Sequence, residues 1–134
     1  GEGLGGVWAL AAAAFDDRPG GVVCVRTVPS YRLVVGSQYY LVRDYFWTPG
    51  ALRDFDLPDL AALAAPRRVM LIDPVDAMLE RVDLDRCRSL HGWAKELYRA
   101  LGSPEALQYR QTPDGTVEAL SGQITSAFGR LDSR

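Results

Sequence analysis

Apolar and polar positions divide the chain into alternating helical and extended stretches. Residues 4–15, LGGVWALAAAAF, are alanine-rich and open on glycines, a pattern that predicts a helix able to pack closely on a sheet. The polar run DDRPGG breaks it. VVCVRTV, residues 22–28, is β-branched with little polar alternation, as in a strand covered on both faces, and Pro29 closes it. Residues 30–57 read as a long, irregular, aromatic-rich segment with the character of a lid. Pro58 suits the first turn of a short helix through DLAALAA that stops at Pro66, and a second buried strand covers residues 69–72. Asp83 caps an expected long helix to about Leu101, with Leu90, Trp93, Ala94, Leu97 and Leu101 on one stripe and Gly102 as its stop. Residues 106–110 predict a third strand, TPDG a turn, and residues 116–131 a last helix with Val117, Leu120, Ile124 and Phe128 in register. Strands alternating with helices imply parallel pairing in a layered α/β domain of the three-layer sandwich kind, occupying residues 1–134 as a single partial domain.

Three strands alone leave a sheet edge with unpaired hydrogen-bonding groups, so further strands are expected upstream. The expected partner is the remainder of the same chain, or a second protein chain, lying against that edge. Composition narrows the classes further. With 134 residues, 48% of them hydrophobic and 24% charged, the chain can bury one modest core. A net charge of −2 with arginines scattered along the chain gives no cationic field for a phosphate backbone, so nucleic acid is not an expected partner. The longest apolar stretch, residues 7–15, falls short of the roughly 20 residues a membrane span needs, so no membrane is expected either. Cys24 and Cys87 lack the close Cys or His companions that zinc requires; they read as reduced, buried thiols, with no metal or cofactor implied. No signal-peptide pattern is present, and the cellular location stays open.

The opening GEGLGG carries two incompatible motifs. As G-x-G-x-x-G it is a dinucleotide fingerprint, in which Gly1, Gly3 and Gly6 would approach a pyrophosphate and Arg26 a 2′-phosphate, giving an NADP-binding Rossmann-type domain. That motif requires a strand to deliver the glycines, and none is seen before Gly1. As G-x-G-x-G it is a serine-hydrolase elbow with glycine at the nucleophile position. The stretches GEGLGGVWALAAAAFDDRPGGVVCVRTVPSY and LPDLAALAAPRRVMLIDPVDAM, with the helix, strand and helix that follow, resemble the C-terminal part of α/β-hydrolases of the acetyl xylan esterase and dienelactone hydrolase kind. The resemblance places the elbow between the fifth strand and the third helix, the acid after the seventh strand and the histidine after the eighth.

On that template the nucleophile position is Gly3, which has no side chain to attack with. Asp76 matches the acid, and Asp73 occupies a site that is often glycine. The turn QTPDGTVEA contains no histidine; the sole histidine, His91, is expected mid-helix in a packing or surface role. What remains is a turn of backbone N–H groups at Gly3, Leu4 and Gly5, a candidate oxyanion or anion site, or simply a sharp turn that permits close packing. Thr27 and Ser30 are hydroxyls near the same rim without a visible base. Tyr31, Tyr39, Tyr40 and Trp47 are pocket candidates, although aromatics there equally serve to pin a long segment onto the sheet. These features point to a catalytically incompetent relative of the esterases acting as a structural or binding module. The alternative is a carbohydrate-ester hydrolase whose catalytic groups lie outside this segment.

Overall fold

The computed structural model describes residues 1–43, 48–113 and 116–129. Helix α1 (Leu4–Phe15) forms where expected, and its chain of small side chains brings it against strand β1 (Gly21–Val25). Gly6 shows why small residues are needed: a Cβ there would overlap the Oγ1 of Thr27. Strands β2 (Arg68–Ile72) and β3 (Leu107–Arg110) complete a parallel sheet of order β1-β2-β3, in register Val22↔Val69↔Leu107 and Cys24↔Leu71↔Tyr109. The first residues of the chain pair alongside β1, on the edge away from β2, and occupy its end. Val25 N–H donates to the Gly1 carbonyl and Gly3 N–H to the Val25 carbonyl, both at 2.8 Å, and Glu2 bridges Val25 in parallel sense.

Side-chain alternation on the strands splits the core into two layers. Val22, Cys24, Val69, Leu71 and Leu107 face α1, α3 (Leu57–Leu63) and α5 (Gly92–Ala100). Val23, Val25, Met70 and Ile72 face the opposite way, where Leu120, Ile124 and Ala127 of α6 (Val117–Gly129) cover them. Helices on both faces of a parallel sheet make the three-layer α/β arrangement, and each fully buried aliphatic side chain contributes about 1.5–3 kcal/mol to it. Helix α3 starts on a capping box in which the Asp56 carboxylate caps the first turn and the Asp59 carboxylate accepts from Asp56 N–H at 2.7 Å. Tyr98 ties α5 to that unit, its buried hydroxyl donating to the Arg67 carbonyl at 2.8 Å.

Several expected boundaries move. The first strand ends at Val25, because Arg26 turns into the left-handed region at φ 48°. The third begins at Leu107, after a 3-10 turn at Pro104–Ala106. The long helix expected from Asp83 to Leu101 is two helices, α4 (Leu84–Leu90) and α5, broken at His91 with φ −95° and ψ 19°. The break rotates the buried face onto Ala94 and Tyr98, leaving Trp93 and Leu101 exposed. Residues 30–57 are not irregular throughout. They hold α2 (Tyr31–Val35), capped by Ser30, and a 3-10 turn at Ala51–Arg53, and they contribute Tyr31, Leu33, Val34, Val42 and Ala51 to the main core. On α6, Val117 is exposed rather than in the packed register. Among the described residues no helix is long and apolar enough to cross a membrane.

Candidate functional site

In a parallel sheet the turns at the carboxyl ends of the strands share one rim, and side chains that must cooperate are gathered there. Gly3 lies on that rim between the short ladder on β1 and the first turn of α1. Its φ of 52° with ψ −121° is the strained strand-to-helix geometry of a nucleophile elbow. Gly1 is required for this turn, since a Cβ on it would overlap the backbone of Gly5. The Gly3 carbonyl is absorbed by structure, accepting from Gly6 N–H at 3.0 Å and from the Thr27 hydroxyl at 3.1 Å. The N–H groups of Leu4 and Gly5 belong to the first turn, where no intrahelical acceptor exists. Arg26 sits beside the turn, ion-paired with Glu2 at 3.6 Å. Thus Gly1, Gly3, Gly6 and Arg26, the residues of the dinucleotide alternative, do meet in space, with a carboxylate next to the arginine.

The other two strand ends hold a different arrangement. Asp73, directly after β2, is 1% exposed and at φ 48°, a conformation that Asp tolerates and that favours glycine. Its carboxylate accepts from Thr112 N–H at 2.9 Å and from the Thr112 hydroxyl at 2.6 Å. Arg81 closes the group, donating to the Thr112 carbonyl at 2.9 Å and hydroxyl at 3.0 Å and lying 3.6 Å from the Asp73 carboxylate. The carboxylate that reaches the turn after β3 is therefore Asp73, and the residue it meets there is a threonine. Asp76, expected as the acid, instead folds its carboxylate onto Met78 N–H at 2.8 Å and Glu80 N–H at 3.1 Å within its own turn. It also borders a polar cavity of about 210 Å³ with Arg32 and Arg86.

His91 is fully buried at the α4–α5 break, not within a helix. Its Nδ1 lies 3.0 Å from the Cys87 carbonyl, its Nε2 has no hydrogen-bond partner among the described residues, and its ring packs edge-on to Tyr109 at 5.4 Å between centroids. Desolvation holds its pKa below the ordinary histidine value. Thr27 and Ser30 are equally unavailable as nucleophiles: they are 2% and 0% exposed. The Ser30 hydroxyl donates to the Asp56 carboxylate at 2.5 Å. Both cysteines are free and buried, with burial pushing each thiol up to about 12. No group of three or more His, Cys, Asp and Glu side chains suited to a metal ion occurs among the described residues.

The aromatic candidates are only partly brought together. Tyr31 and Tyr40 line a cavity of about 510 Å³ with Val34, Val35, Pro49 and Leu52, whereas Tyr39 is exposed and is not among the lining residues. Trp47 lies outside the described residues. In the sequence Asp73 stands out only as a residue where glycine is common, and Thr112 and Arg81 do not stand out; the signal for Asp73 and Thr112 is a carboxylate and a hydroxyl placed just after adjacent parallel strands.

No family model matches the chain, and no curated protein matches it. Solved structures do. A carbohydrate esterase family 15 glucuronoyl esterase from Caldicellulosiruptor kristjansonii aligns at a TM-score of 0.64 and 22% identity, over 92% of this chain and 40% of that one. The glucuronoyl esterase catalytic domain from Hypocrea jecorina aligns at 0.60 and 22%, over 81% of this chain and 35% of that one. The chain thus spans about two fifths of the length of the structures it matches, and at this identity the likeness is one of fold. The shared fold is the three-layer α/β arrangement, a parallel sheet flanked by helices, as in the corresponding part of those α/β-hydrolase-like esterases.

Proposed function

We propose that this chain is a catalytically incompetent portion of an acetyl xylan esterase-like α/β-hydrolase domain that acts as a structural or binding module of a larger chain or assembly. The observation that carries the proposal is Gly3: the elbow turn is present, and the atom that would attack a carbonyl carbon is not. The absence of an imidazole near it agrees, since the Asp73 carboxylate is spent on Thr112 and His91 is walled in by Cys87 and Tyr109. A structural role is supported by α1, which is apolar on every face and leaves Trp8 and Phe15 66% and 78% exposed. A helix apolar all round belongs between two layers, so the proposed partner is a segment of the same longer chain, or a second chain, lying over α1 and the edge next to β1.

A second reading is favoured by one observation, that the matched structures are glucuronoyl esterases of which this chain spans only 35–40%. In it, the nucleophile and base come from outside the segment. Treating the longer chain or assembly that holds this segment with a fluorophosphonate probe, alongside turnover of an activated aryl ester, decides between the two, because the second reading puts the label outside residues 1–134. Neither labelling nor turnover is expected, and a covalent adduct on residues 1–134 would overturn the incompetent reading.

A further inference from the structure

The cavity beside α2 is of a size that ligands occupy, about 510 Å³ against the roughly 300–1,000 Å³ of small-molecule sites. Its walls are Tyr31, Val34 and Ala51, all buried, with Val35, Tyr40 and Leu52 nearer the rim. The polar groups along it are mostly occupied: the Ser37 hydroxyl donates to the Tyr39 carbonyl at 2.6 Å, and the Tyr31 hydroxyl is hydrogen-bonded to Thr48. Arg53 is the exception. It is the one charged side chain among the described lining residues, and its guanidinium has no ion pair or hydrogen bond among the described residues. An apolar chamber lined by one guanidinium that is unpaired among the described residues selects a ligand with an apolar body and one anionic, planar head.

We infer that this cavity binds amphipathic monocarboxylates, with the hydrocarbon against Tyr31, Val34 and Leu52 and the carboxylate on Arg53. The inference rests on the binding-module reading and gives that module a ligand class. Capture of a free carboxylate needs no nucleophile, so the vacant elbow is no obstacle to it.

Calorimetric titration of the whole chain with octanoate and with its neutral isostere octanamide tests the assignment. Saturable binding at one site is expected, with octanoate held about tenfold more tightly, the difference one charge-assisted hydrogen-bond pair makes. Arg53→Met should bring octanoate down to the affinity of octanamide, and Leu52→Trp, which fills the rim, should weaken both about tenfold or more. Arg86→Met, in the neighbouring polar cavity, should change neither. Equal affinity for the two ligands, a preference that survives Arg53→Met, insensitivity to Leu52→Trp, or no binding at millimolar ligand would each overturn the inference. The fluorophosphonate result stands apart: labelling defeats the incompetent elbow and leaves carboxylate binding untouched, while failed titration with no labelling removes only the ligand class.

Discussion

Two turns on the same rim of the sheet have had opposite fates. At the elbow the backbone keeps a demanding conformation, φ 52° and ψ −121° at Gly3, although no side chain uses it. At the turn after β3 the side chains form a closed group, Asp73, Thr112 and Arg81, in which both Asp73 carboxylate oxygens and the Thr112 hydroxyl have partners. The difference lies in what each feature does for packing. The elbow geometry lets α1 descend onto β1 with Gly6 against Thr27, so the fold needs it whether or not chemistry follows. A base after β3 serves only chemistry, and a hydroxyl that saturates a buried carboxylate serves stability.

The contrast breaks first at Asp73. Asp73→Ala should cost about 3–5 kcal/mol in urea denaturation, because it strands the buried N–H and hydroxyl of Thr112 together and removes the carboxylate 3.6 Å from Arg81, which keeps its own bonds to Thr112. Thr112→Val keeps the volume and loses only the hydroxyl, and about 1–3 kcal/mol is expected. If Asp73→Ala costs less than Thr112→Val, the carboxylate is not the centre of the group.

The elbow comes next. Gly3→Ser supplies the missing oxygen in a backbone conformation that L-residues rarely adopt, at an expected cost of about 1–3 kcal/mol. Ester turnover should stay at the background of the parent chain, since no imidazole stands by to take the proton. A measurable rate of aryl-ester hydrolysis in this variant would mean that a base is near the elbow after all.

How much of this was legible beforehand follows the same division between backbone and side chain. Helix α1 and the alternation of helices with parallel strands were readable, because alanine runs and β-branched runs each act through local backbone preference. Helix α2 was not: YRLVV is rich in β-branched residues, and only the Ser30 cap and tertiary burial of Leu33 and Val34 make it helical. The break at His91 was hidden because apolar spacing runs straight across it. A family template weighs motif position and points to Asp76, whereas which carboxylate meets the turn after β3 follows from φ, burial and the neighbouring strand end, and that carboxylate is Asp73. The resemblance carried the fold class; it carried nothing about which groups each carboxylate meets.

His91 gives the smallest effect and sharpens the comparison from a third position, because it is the one imidazole and is held away from both turns. Burial lowers its pKa in the folded chain, so in acid the unfolded chain takes up a proton that the folded chain refuses. Stability from this group is therefore intact above the unfolded value near 6.5 and declines as pH falls below it, by at most about 1.4 kcal/mol per pH unit for one proton. The decline ends only when the pH passes below the folded value. His91→Gln keeps a polar side chain in the same space and cannot titrate, so its stability relative to the parent should improve as pH falls from 7 to 5. Denaturation midpoints at three pH values measure that difference. If the parent and His91→Gln lose stability in parallel, the imidazole is already exchanging protons in the folded state. A base would then be within reach of solvent, and the assignment of His91 to packing would fall.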